Sequence, residues 1–215
     1  MNRLFFQKKQ NKRSTTVWVC GKMNVSMEGG KSMVLMNYKY AIYPTNTQTD
    51  KLQHWINICR MQYNSALLDK KRIYKKEKRT YKRMDMQKQQ TMDKKSIPML
   101  KELPSQPLQE VFFRLEKAFE NFFRKRAKYP KLKKYKEFRS LTFTQFGIGK
   151  QYYKKINTYK TVRRAASFTN DGKLLISKLG AVDIVMHRPL IGKIKQVIIK
   201  KQSLVLKNKY KPIHR

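Results

Sequence analysis

Between Leu103 and Phe123 the apolar residues fall at steps of three and four: Leu108, Val111, Phe112, Leu115, Ala118, Phe119, Phe122 and Phe123. That spacing lays them along one stripe of a helix. Ser105 stands where a side-chain cap is expected. Pro107 sits in the first turn, where its missing N–H costs nothing. Pro130 pushes Tyr129 toward extended geometry and so sets the latest point at which the helix can end. A second amphipathic helix is predicted after Pro44. Thr45 and Gln48 have capping-box spacing, and Leu52, Trp55, Ile56, Cys59, Tyr63, Ala66 and Leu67 form its apolar face. From Asp69 to Lys95 helix formers are frequent and apolar anchors few. This predicts a solvated helical pair with a turn near Thr80, ended by Ile97-Pro98.

Elsewhere the period is two. Asn37 to Tyr43 alternates as a strand does, and Pro44 closes it. Beyond Pro130, Leu141 to Phe146 alternates again, followed by a basic, aromatic loop from Gly147 to Arg164. Ala166 to Thr169 and Lys173 to Ser177 flank Asn170-Asp171-Gly172, a hairpin signal. Ala181 to His187 and Lys193 to Lys200 are two further strands. Residues 1–35 hold only a short apolar run at Val17 to Val19 and are expected to be a disordered leader; residues 204–215 are expected to be a loose basic tail. One strand, a block of helices and then several strands make an α+β chain. The expected architecture is a small β-barrel-like domain (36–46 and 130–203) with a helical domain (47–129) inserted into it.

Charge narrows the function. Among 215 residues, 51 are Lys or Arg and 13 are Asp or Glu, a formal net charge of +38. A surface so basic repels itself unless a polyanion covers it. Nucleic acid fits best, because cations interleaved with aromatics can bind phosphates and stack on bases. An anionic membrane would call for a long basic amphipathic helix or a lipid anchor, and no anchor signal is visible. No apolar run approaches the roughly 20 residues of a membrane span. The two cysteines, Cys20 and Cys59, lie far apart, without metal-ligand spacing. A cytoplasmic protein without metal or other cofactor is expected.

Catalytic chemistry is not visible. His54, His187 and His214 have no nucleophile or carboxylate partners in pattern, and no G-x-S-x-G, Walker or H-E-x-x-H motif occurs. Gly147-Ile-Gly-Lys150 is only a fragment of a phosphate loop. Two-metal phosphodiester cleavage requires clustered carboxylates, yet Asp171 and Asp183 are the only acidic residues after Glu137. No catalytic residue is therefore assigned.

A set of short motifs carries a resemblance. Tyr43-Pro44-Thr45 with Gln48, Tyr63-Asn64 with Leu67, Leu103-Pro104-Ser105-Gln106, Leu108-Gln109, Ala118-Phe119 and Asn121-Phe122-Phe123 come first. Tyr129-Pro130-Lys131, Thr144-Gln145-Phe146, Asp171-Gly172-Lys173, Lys178-Leu179-Gly180, His187-Arg188 and Gly192-Lys193-Ile194-Lys195 follow. In order and spacing they resemble the N-terminal half of the TnpB (OrfB) proteins. These are transposon-encoded, long labelled transposases, and related to type V CRISPR effectors.

The resemblance covers about residues 36–203. It implies a wedge-like β-barrel with an inserted helical recognition domain, and RNA-guided cleavage of double-stranded DNA in full-length members. It places target-adjacent DNA reading at Tyr81 and Gln109, with Lys78 and Lys82 beside them, and guide-RNA phosphates at Lys131, Lys133, Lys134, Lys136 and Arg139. Pro107 and the long segment 147–164 depart from the family pattern. The family's RuvC-like nuclease domain and zinc ribbon have no counterpart before the chain ends. The expectation is thus a binding portion without nuclease activity. The alternatives are a general basic RNA-binding protein, or a binding subunit that works with a separate nuclease.

Overall fold

The computed structural model describes residues 15–22, 35–153, 157–190 and 194–201, with backbone alone for 15–22, Leu35 and Met36. Strand β1 (Thr15–Lys22) pairs antiparallel with β2 (Leu35–Tyr43). Pro44 then turns the chain into helix α1 (Asn46–Glu77). The capping box forms as its spacing predicts: the Thr45 hydroxyl accepts from the Gln48 N–H (3.3 Å), and Gln48 Oε1 accepts from the Thr45 N–H (3.0 Å). Gln48 also donates to the Ala181 carbonyl at 2.9 Å, fixing the start of α1 on the sheet.

Helix α1 ends at Lys78, which adopts the left-handed conformation at φ 52°. Helix α2 (Arg83–Ser96) follows, its first turn held by the Asp85 carboxylate accepting from the Lys82 N–H. A short 3-10 turn (Pro98–Lys101) leads to α3 (Ser105–Phe123). Ser105 is the first helical residue rather than the cap; its hydroxyl accepts from Lys94 Nζ at 2.8 Å, tying α3 to α2.

Seven strands form an antiparallel sheet in the order β3-β9-β1-β2-β8-β7-β6. The remaining members are β3 (Ser140–Phe143), β6 (Ala166–Phe168), β7 (Leu174–Ile176), β8 (Gly180–Val185) and β9 (Gln196–Lys200). The sheet curls. Just past β3, Phe146 bridges to Ala166 of β6, so the two outermost strands approach each other at one corner. The Asn170–Gly172 turn joins β6 to β7 as expected, with Gly172 at φ 73°.

The helices lie between β2 and β3 in the chain and share one core with the sheet. Tyr40 and Ile42 of β2, Trp55 and Leu67 of α1, Leu108, Phe112 and Leu115 of α3, and Phe143 and Ile199 all belong to one buried cluster. Every residue of the stripe expected on α1 is buried, and Ile58, off that stripe, is buried too.

Two expectations need correction. Residues 15–22, assigned to the leader, form a strand between β2 and β9. Its hydrogen-bonding partners lie far along the chain, so local pattern did not reveal it. The rest of the leader and the 204–215 tail lie outside the described residues. The supposed loop at 147–164 contains a second, two-stranded sheet, β4 (Ile148–Tyr153) with β5 (Thr158–Arg163). Both faces of that ribbon are largely exposed, so it lacks the hydrophobic alternation that marks a half-buried strand. Helix α3 ends before Pro130, as expected; it stops at Phe123, where Lys125 turns left-handed at φ 56° and the Arg126 and Ala127 N–H groups both donate to the Asn121 carbonyl.

Candidate nucleic-acid interface

The early end of α3 matters for the site. Leu108, Val111, Phe112 and Leu115 are buried, but Phe119 and Phe122 are only half-buried and Phe123 is exposed. The apolar stripe therefore runs out of the core into solvent. There it meets Tyr129, which returns edge-on to Phe119 (5.5 Å between ring centres) and Phe122 (5.2 Å). Phe123 packs on Phe122 at 5.4 Å. Helix α1 supplies cations to this cluster: Lys70 Nζ stands 4.9 Å from the Phe119 ring centre and Lys71 Nζ 5.2 Å from that of Tyr129. With Tyr74, Thr80 and Tyr81, these residues line an open cleft of roughly 540 Å³. Burial holds the Lys70 ammonium below its ordinary pKa, against the opposing pull of the Glu116 and Asp85 carboxylates. Burial likewise raises the phenols of Tyr81 and Tyr129.

Past the cleft runs the cationic segment 124–139. Its backbone is clamped from α1: Asn64 Oδ1 accepts from the Lys133 N–H at 2.8 Å, and Asn64 Nδ2 donates to the Lys133 carbonyl at 3.0 Å. One amide side chain thus mimics a strand neighbour and satisfies both backbone groups of one residue. Arg60 adds a longer bond to the same carbonyl. Tyr63 packs on Phe138 at 6.3 Å, and the Lys134 N–H donates to Glu137 at 3.0 Å. Lys131, Lys134, Lys136 and Arg139 are exposed along this fixed segment, while Lys133 is half-buried. These five share one short segment, as nearness in sequence requires.

The residues expected to read DNA do not form one cluster. Tyr81 is half-buried in the cleft; Lys78 caps the end of α1 and Lys82 the start of α2, so they flank Thr80 and Tyr81 in the chain. Gln109 is exposed on α3, about 15 Å along that helix from Phe119 at 1.5 Å per residue. It lies on the face that meets α2, between Ser105, bound to Lys94, and Phe113, whose ring lies 4.0 Å from the Arg83 guanidinium. Arg83 also pairs with Glu116 at 3.1 Å.

Sequence reasoning missed several supporting residues. Lys70 and Lys71 looked like ordinary solvated lysines. Arg114 falls on α3 beside the apolar stripe, yet it is largely buried and joins α3 to β3 through Ser140 (3.1 Å to the carbonyl) and Thr142 (2.6 Å to the hydroxyl). The β4–β5 ribbon is a second cationic and aromatic surface: Tyr152 faces Tyr159 across the strands at 5.1 Å, and Lys160 sits over Tyr153. Cys59 is a core residue, its thiol pushed up to about 12 by burial. His54 pairs with Glu102 at 2.9 Å on the surface. Among the described residues no group of three or more His, Cys, Asp or Glu could hold a metal ion, and no helix is long and apolar enough to cross a membrane.

Residues 33–79 match the helix-turn-helix domain of the OrfB/IS605 family. The match spans β2 and the whole of α1, ending just past the left-handed Lys78. A protein of Streptomyces pristinaespiralis named "Putative RNA-guided DNA endonuclease" is 36% identical over 105 residues, 48% of this chain and 26% of the relative. "Putative RNA-guided DNA endonuclease InsQ" of Escherichia coli (strain K12) is 31% identical over 102 residues, 46% of this chain and 25% of the relative. By these matches the chain is similar to the TnpB/OrfB proteins. It spans about a quarter of the length of these TnpB-like relatives. The matched region holds Tyr63-Asn64 and the two lysines, Lys70 and Lys71, so α1 supplies both the clamp on segment 131–139 and one wall of the cleft.

Proposed function

We propose that this TnpB-type chain is a nucleic-acid-binding unit that holds a guide RNA, reads duplex DNA beside a target, and does not itself cut DNA. One observation carries the reading: the aromatic end of α3 and the cations of 124–139 converge on a backbone held in place by Asn64. A preset row of ammonium and guanidinium groups can neutralise successive phosphates without first being ordered, which favours binding. In this reading Lys131, Lys133, Lys134, Lys136 and Arg139 take guide-RNA phosphates. Lys78 and Lys82 hold the DNA backbone near Tyr81, and Gln109 offers its amide to an adenine edge. The separation of Gln109 from the cleft along α3 suits a duplex that lies across the α2–α3 face better than a single point contact. The names of the relatives, both RNA-guided DNA endonucleases, agree with this division between guide and target.

The test is to recover the chain from its native cells after RNA crosslinking and sequence the bound RNA. A single dominant RNA is expected. A spread of ribosomal and messenger RNA would instead make it a general basic RNA-binding protein. With the recovered RNA and magnesium added, duplex DNA bearing the matching target should stay intact; guide-dependent cleavage would overturn the binding-only part of the proposal.

A further inference from the structure

The cleft between the end of α1, the Thr80–Tyr81 turn and the end of α3 has the makings of a site of its own. Two of its rings are well exposed, Tyr74 at 60% and Phe123 at 74%, and they come from different helices. Leaving such rings in water forgoes hydrophobic stabilisation that a ligand could recover. Phe123 is braced at 5.4 Å by Phe122 and at 6.2 Å by Phe119, and these in turn by Tyr129, so the rings form a prebuilt wall. Lys70 lies within the wall over Phe119, and the exposed Lys71 lies over Tyr129. The hydroxyls of Tyr74, Thr80 and Tyr81 have no hydrogen-bond partner among the described residues. The volume, roughly 540 Å³, is in the range of small-ligand sites.

A planar ring that carries an anionic group and a sugar hydroxyl satisfies every wall of this cleft. We infer that it takes one unpaired base of a folded RNA, stacked on the aromatic wall with its phosphate at Lys71. RNA is the source because its loops and bulges splay bases that stack on aromatic side chains and present 2′-hydroxyls, whereas duplex DNA keeps its bases paired inside. The basic charge of the cleft disfavours the chain's own lysine-rich segments as occupants. The inference rests on the RNA-binding reading above and goes beyond it by naming a site for a base rather than for the backbone.

The full chain is titrated into an RNA hairpin that carries one bulged 2-aminopurine, into its fully paired counterpart, and into the bulged hairpin made of DNA. Stacking in the cleft should quench the bulged base. Phe123→Ala and Tyr74→Ala, both at exposed positions and so without threat to folding, should each weaken the bulged RNA about tenfold. They should also abolish the quench and leave the paired hairpin unaffected. Lys51→Ala, an exposed cation at the start of α1, should change both RNAs alike. Unchanged affinity and quench in the two aromatic variants would overturn the inference, as would equal losses on bulged and paired RNA. The same sensitivity with the DNA hairpin would overturn the assignment to RNA. Lowered melting temperatures in both variants with no effect on RNA would place a protein segment in the cleft and overturn it as well. If the wild-type chain bound neither RNA, the RNA-binding reading itself would fall; tight binding of both without a quench would sink the cleft site alone.

Discussion

At the residue scale, position along α3 decides what an aromatic side chain does. Phe112 is fully buried in the shared core, and Phe123 stands in solvent at the other end of the same stripe. Phe112→Ala should cost about 3–5 kcal/mol, because it removes a large buried group and leaves a cavity. Phe123→Ala should change stability by less than about 0.5 kcal/mol. Urea unfolding of the two variants checks the contrast, and equal costs would contradict it. Lys70 offers a test by pH. Its folded-state pKa is depressed, chiefly by burial. A base of this kind contributes stability above its unfolded value, about 10.4, and loses it as pH falls through the folded value. At neutral pH the charged Lys70 is therefore a net cost. Lys70→Met should raise the urea midpoint at pH 7, and the gain should shrink as pH is raised toward 10. A gain that grew with pH would contradict the sign.

At the element scale, the helices hold a segment that has no regular structure of its own. The stretch between α3 and β3 is fixed by side chains reaching out of α1, above all Asn64, which supplies both a donor and an acceptor to Lys133. Asn64→Ala should cost about 1–3 kcal/mol, because in a half-buried place the Lys133 N–H loses its partner and the carbonyl keeps only the longer Arg60 bond. Its clearer signature is local. Amide hydrogen exchange at residues 131–134 should speed up while α3 keeps its protection. Uniform acceleration over the whole chain would mean that Asn64 acts on global stability instead. Arg114 does the corresponding work between α3 and β3, where its part-buried guanidinium binds Ser140 and Thr142. Together the two residues make α1 and α3 the scaffold of the cationic segment.

At the scale of the molecule, charge dominates. A formal +38 on 215 residues with one shared core keeps the cations on a surface whose shape is already set. Affinity for nucleic acid should fall on the order of 10³-fold or more between about 50 and 200 mM salt, through counterion release. A filter-binding series at fixed temperature measures the slope, and a flat response would show that charge is not the basis of binding. The same charge accounts for the exposed β4–β5 ribbon. A ribbon with Lys150, Lys160 and Arg163 beside three exposed tyrosines is poorly suited to burial against protein and well suited to contact with a polyanion.

The amino-acid sequence by itself determined the helices and most of the strands. Their signals are local: the Thr45–Gln48 box, the stripe from Leu52 to Leu67, the Asn170–Gly172 turn. It also determined the family likeness, through short motifs in a fixed order. Only the tertiary structure decided where the stripe on α3 leaves the core, because that depends on how far α1 and the sheet reach along α3 to cover it. Strand β1 could not be read locally either, since β2 and β9 supply its hydrogen bonds. The same holds for the site. The cations of 131–139 were legible as a run, but the Asn64 clamp and the cleft with Lys70, Lys71 and Tyr81 bring together groups far apart in sequence. Periodicity reports which way a side chain faces within its own element; it carries no information about which distant element arrives to meet it.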